Sequence, residues 1–188
     1  MNTFSKWRIK NVILVCLIAI ICGLIYSAFD WIYNLIFYAP LAGTGWAPLS
    51  IEAIDGLWFI AGPIALVVTK LPGAGIFAET IGALIETLIG GNFGIGAIIE
   101  GLFQGLGAEI GFGIFKYKKV NLKVLALSAI LTAVFSFISD LFVESYLKLK
   151  IGTLITYFLT RLASSIIFSA LLVYLIWKLF KKTNILKN

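Results

Sequence analysis

Seven ionisable side chains stand within or at the ends of long apolar runs: Asp30, Glu79, Glu86, Glu100, Glu109, Asp140 and Arg161. A charge at the centre of a bilayer costs about 2.5–3.5 kcal/mol on insertion scales, so such groups are functional by default and face a bundle interior. All but Arg161 are acids. That excess does not suit a neutral or anionic solute, but it suits an organic cation held by carboxylates. Glu79 and Glu86 share one helical face, as do Glu100, Gln104, Gly107 and Gly111, while Glu109 lies opposite Glu100. The plainer alternative is that several of these acids pair with Arg161 or cap helix ends. One arginine cannot neutralise all of them, so the remainder must be protonated, solvated or matched to a cationic ligand.

Aromatic residues complete the chemistry of a cation site. Trp31, Tyr33, Trp46, Trp58 and Phe93 are expected at the same end of the molecule as the acids. Ring faces stabilise a cation by about 0.5–2 kcal/mol, and they also stack on flat heterocycles. An interfacial aromatic belt is the alternative. Trp46 and Trp58 stand apart from it because they flank a stretch that carries Glu52 and Asp55. The candidate substrate-binding residues are therefore Asp30, Trp31, Tyr33, Trp46, Trp58, Glu86, Glu100 and Gln104, with Asn92 in the turn after the third apolar run.

Other chemistries find little footing. The 188 residues contain no histidine, which removes the commonest metal ligand and general base. Cys16 and Cys22 fall on different faces of one helix and read as packing residues. No catalytic residue, metal site or cofactor is expected, and no nucleotide-binding loop is present. Energy for uphill transport would have to come from a partner.

The elements that must position these residues are membrane helices. Hydrophobic residues make up 61% of the chain, and about 20 apolar residues suffice to cross a bilayer. The pattern predicts an all-α integral membrane protein, one domain over 1–188, with six transmembrane helices at about 10–37, 55–70, 75–90, 94–115, 123–143 and 152–178. A loop is expected over 38–54, folded over the bundle mouth, and Lys70-Leu71-Pro72-Gly73 is a strong turn signal. Lys6, Arg8 and Lys10 precede the first run, but it is too long for a signal peptide's apolar core and reads as a retained helix.

Twelve lysines and arginines fall at the N-terminus, the 2–3 and 4–5 loops and the C-terminus, against Lys148 and Lys150 on the other side. By the positive-inside rule both termini are cytoplasmic. The same clustering at run ends argues against nucleic acid as the reason for the net charge of +6. The polar groups then converge in the outer half, which describes a pocket opening outward rather than a pore. In helix 1, Ala19, Gly23 and Ser27 form a small-xxx-small face of the kind that lets another helix approach closely. Its partner is either within the bundle or a separate membrane subunit, and docking to a partner is the reading adopted here.

The strings Asp55-Gly56-Leu57-Trp58-Phe59-Ile60-Ala61-Gly62-Pro63 and Gln104-Gly105-Leu106-Gly107-Ala108-Glu109 resemble the YkoE family, as do Asp30-Trp31 with Tyr33-Asn34 and the segment from Phe77-Ala78-Glu79 to Asn92-Phe93-Gly94. These are substrate-binding S components of energy-coupling factor (ECF) transporters, associated with thiamine or its hydroxymethylpyrimidine (HMP) precursor. The resemblance implies a six-helix protein of the prokaryotic plasma membrane with cytoplasmic termini. It implies a vitamin site in the outer half beneath the helix 1–2 loop. It further implies a transmembrane coupling subunit docked on the small face of helix 1, and two ABC-type ATPases. Two alternatives stay open: an S component for another water-soluble vitamin, and an integral membrane enzyme acting on lipid.

Overall fold

The computed structural model describes residues 7–44, 46–91 and 93–182. These fold into six helical elements: α1 (Ile9–Leu41), α2 (Ala47–Thr69), α3 (Ala74–Ile89), α4 (Ile95–Ile114), α5 (Leu122–Phe142) and α6 (Ile151–Lys182). Five of them are long and apolar enough to cross a membrane, while α3 has 16 residues. No strand occurs among the described residues.

The turn signals act where the chain chemistry requires. Lys70 ends α2 in a left-handed conformation at φ 52°, and Gly73 takes φ 90° before α3 starts. Gly90, at φ 100°, closes α3, a position a side chain would strain. Asn121 caps α5 by accepting from the Val124 amide at 3.0 Å. The 38–54 stretch departs from expectation. Tyr38–Leu41 complete α1, and α2 begins already at Ala47, eight residues before the expected start. Pro48 falls in the first turn of that helix, where the missing N–H costs nothing, so this proline starts a helix inside the stretch expected as a loop. α2 tightens over Asp55–Phe59 and breaks at Ile60 before resuming at Ala61.

α3 sits between α1 and α4, α4 packs on α5, and α6 covers the first half of α2. These contacts are close because glycines allow them. A Cβ on Gly107 would stand 2.5 Å from the Thr132 Cα of α5. On α1, a Cβ on Gly23 would stand 2.6 Å from the Gly82 carbonyl oxygen of α3. Ala19, Gly23 and Ser27 are all buried in this way. The expectation that they form a free docking face is therefore corrected: the stripe is occupied by α3 of the same chain. The exposed side of α1 carries Leu17, Ile21, Leu24 and Ile32 instead, side chains suited to lipid.

Two of the buried acids hold the scaffold. Glu109 accepts from the amides of Gly73 at 2.6 Å and Gly75 at 3.0 Å, at the start of α3, where a helix leaves its first amides without partners. Burial, with Glu109 beside it, pushes the nearby Tyr117 phenol up. Glu79 accepts from the Gly62 amide at 2.8 Å and from the Tyr26 hydroxyl at 2.9 Å, while that hydroxyl accepts from the Ala61 amide at 2.9 Å. The amides freed by the break in α2 thus find partners on α1 and α3.

Candidate ligand-binding cavity

The other end of the bundle, away from Lys70 and the Lys116–Lys119 cluster, holds a cavity of about 640 Å³. That is within the usual range for a small-molecule site. All six helices contribute: the end of α1, the first half of α2, the end of α3, the start of α4, the end of α5 and the start of α6. Tyr38, Pro48 and Ile51 from the α1–α2 junction share this lining, so the region expected to cover the mouth does border the cavity.

One pole is built on Arg161 of α6. Its Nε donates to Glu52 Oε2 at 2.6 Å and its Nη2 to Glu52 Oε1 at 2.9 Å. Nε also lies 2.9 Å from Asp55 Oδ2, and Nη1 is ion-paired with Asp140. Nη1 donates to Ser136 Oγ at 3.0 Å, and the Phe137 ring lies 5.4 Å from the guanidinium carbon. Tyr146 donates to Glu52 Oε1 at 2.7 Å. Burial, then the Glu52 carboxylate, pushes the Tyr146 phenol up, so it stays a donor. Three carboxylates thus surround one guanidinium. Glu100 of α4 shares this cavity wall with Asp140. Its Oε1 is buried in the wall with no hydrogen-bond partner, an arrangement that calls for explanation.

The opposite pole is built on Glu86. Trp58 Nε1 donates to Glu86 Oε1 at 2.9 Å, and the Trp58 ring meets Phe29 edge-on at 5.9 Å. Asp30, wholly buried on α1, stands behind the Glu86 carboxyl, with both side chains beside Gly91. The lining also includes the rings of Tyr33, Tyr38, Phe93 and Tyr157, with the Gln104 amide and the Asn34 side chain.

Of the candidate substrate-binding residues, the cavity gathers Tyr33, Trp58, Glu86, Glu100 and Gln104, and it also takes in Phe93, Asp140 and Arg161. Asp30 stands one layer behind. Trp31 and Trp46 do not belong, which corrects their assignment. Trp31 follows Asp30 by one residue, so a 100° step turns it off the buried face, and it is 67% exposed. Trp46 precedes the first turn of α2 and points into a shallow outer groove beside Lys150 and Thr153. Asn92 lies outside the described residues. Sequence reasoning missed Glu52, Tyr146 and Tyr157. The Glu52-x-x-Asp55 spacing, which places both carboxylates on one helical face opposite a lone intramembrane arginine, was the available signal.

The family described as "ABC-type cobalt transport system, permease component" matches residues 10–135. YkoE of Bacillus subtilis (strain 168), named as an HMP/thiamine permease, is 36% identical over 168 residues, covering 89% of this chain and 81% of that protein. The crystal structure of an S-component of an ECF transporter superposes with a TM-score of 0.85 at 34% identity, over 96% of this chain and 88% of the other.

Proposed function

This chain belongs to the permease-component family that includes YkoE, and on that premise we propose that it is the substrate-binding S component of an ECF transporter for thiamine or HMP. It is an integral membrane protein. The observation that carries the substrate is the charge balance of the cavity. Arg161 is already shared by Glu52, Asp55 and Asp140, which leaves Glu86 and Glu100, with the exposed Glu144, on the wall to meet a ligand. A thiazolium supplies the missing positive charge. An aminopyrimidine supplies flat donors that a carboxylate accepts from and that Trp58 and Phe93 can flank. The cobalt in the family description fits less well: the chain has no histidine, and no cluster of three metal-ligating side chains occurs among the described residues.

The same reading extends to topology and partners. Six crossings with cytoplasmic termini place the cavity on the outer side, where it captures substrate from outside. A transmembrane coupling subunit and two ABC-type ATPases then drive release inward. The coupling subunit must meet a surface other than the Ala19–Gly23–Ser27 stripe, because α3 fills it. Calorimetric titration of the purified chain in detergent with thiamine and with HMP tests the assignment. Binding to the isolated chain without ATP is expected. Binding of neither compound, or turnover of lipid by the purified chain, overturns it.

A further inference from the structure

Two buried carboxyl groups side by side with no cation between them hold a proton between them, because like charges cannot both ionise there. Asp30 and Glu86 are such a pair, 0% and 2% exposed. Their closeness is visible at Gly91, where a Cβ would stand 2.8 Å from Glu86 Cγ and 2.9 Å from Asp30 Oδ2. The surroundings offer no positive charge to replace that proton. α1 adds the neutral Tyr26 and Tyr33, α2 adds the Trp58 indole, α3 adds a further acid in Glu79, and α4 adds Glu100. Arg161 of α6, the cation of this cavity, is held at the other pole by Glu52, Asp55 and Asp140.

Resting on the thiamine/HMP reading above, we propose that the Asp30–Glu86 pair gives up its shared proton when a permanently cationic ligand enters, so that binding of the cation is an exchange for a proton. The O–H between the two carboxyls breaks, the proton passes to water at the cavity mouth, and the ligand's positive charge takes its place. The charge of the wall plus its contents stays constant, which spares the low-dielectric interior an added net charge. Glu86 is the group that meets the ligand, since it lines the cavity. Asp30 acts through it as a positioning residue. A neutral pyrimidine needs no such exchange and leaves the proton in place.

The experiment is calorimetry of the full chain in detergent at one pH in two buffers of very different ionisation enthalpy, with thiamine and with HMP. About one proton released per thiamine and none per HMP is expected. Thiamine affinity should then rise about tenfold per pH unit across the range where the pair holds its proton, with HMP affinity unchanged. In Asp30→Asn the amide can donate to Glu86 without any proton to lose, so the release should fall to near zero. A thiamine binding heat that is the same in both buffers overturns the exchange while leaving the vitamin assignment standing. Equal proton release in wild type and Asp30→Asn assigns the proton elsewhere and also overturns it. Absence of any binding heat for either compound overturns the vitamin assignment and this inference with it. If Asp30→Asn fails to fold, the wild-type buffer comparison decides alone.

Discussion

Arg161 and Glu52 are 109 residues apart in sequence and joined by two hydrogen bonds of 2.6 and 2.9 Å in the cavity wall. This bidentate pair ties the start of α2 to α6. The geometry fixes direction as well as charge, and Tyr146 locks the same carboxylate from the α5–α6 connection. Removing the guanidinium alone strands three acids. Arg161→Met should cost about 3–5 kcal/mol, the usual result of breaking one side of a buried ion pair. A thermal melt in detergent measures it, and a shift within error of wild type would show that the cluster is not structural. The double change Arg161→Met with Glu52→Leu should recover part of the loss, because replacing both partners of a buried pair is far milder than orphaning one.

How much of this was legible beforehand depended on the range of the interaction. The Lys70-to-Gly73 turn and the end of the third helix at Gly90 are local, written in residues that adopt left-handed backbone here, and the sequence shows both. Pro48 is ambiguous, because a proline in a first helical turn and a proline in a loop look the same until the following helix is recognised. The acids on the inner faces of α3 and α4 followed from helical phase, and Glu86 and Glu100 line the cavity accordingly. The Arg161–Glu52 pair depends on how α2 folds against α6, which no spacing reveals. The Ala19–Gly23–Ser27 stripe announced a close helix approach, yet spacing does not say which helix approaches.

The tryptophans separate by position. Trp58→Phe keeps a ring against Phe29 but deletes the 2.9 Å donor to Glu86. It should weaken thiamine binding about three- to tenfold, the worth of a hydrogen bond to a charged or proton-sharing acceptor being of order 1 kcal/mol. Trp31→Ala and Trp46→Ala should leave affinity within about twofold of wild type. Fluorescence or calorimetric titration of the three variants checks the contrast, and a larger loss at Trp31 than at Trp58 would move the site.

Gly23→Leu should damage the fold itself. Even a Cβ at Gly23 would stand 2.6 Å from the Gly82 carbonyl and 2.7 Å from the Ile85 Cβ, so α1 and α3 must separate to admit it. Overpacking of this kind costs about 1–3 kcal/mol or more. A lower melting temperature and a broadened elution profile are expected, with ligand binding reduced in step. A variant that melts normally, binds normally and fails only in uptake by the assembled transporter would instead restore the docking role of that face.

The carboxylates of the two poles give the sharpest test of how the ligand is read. Glu86→Gln and Glu100→Gln preserve shape and remove charge, and at least one should weaken thiamine binding by roughly ten- to a hundredfold. Charge-assisted hydrogen bonds contribute about 1.5–3 kcal/mol, and each 1.4 kcal/mol is about tenfold. Gln104→Ala should matter less, since its amide offers only a neutral contact. Titrating each variant with thiamine and with neutral HMP separates the roles. A carboxylate that faces the thiazolium loses thiamine affinity alone, whereas one that accepts from the aminopyrimidine loses both ligands equally. Both acids line the cavity: Glu86 already accepts from Trp58, and Glu100 keeps a buried Oε1 with no hydrogen-bond partner in the wall. If neither glutamine variant changes either affinity, these acids serve the fold, and the ligand contacts lie among the rings between the two poles.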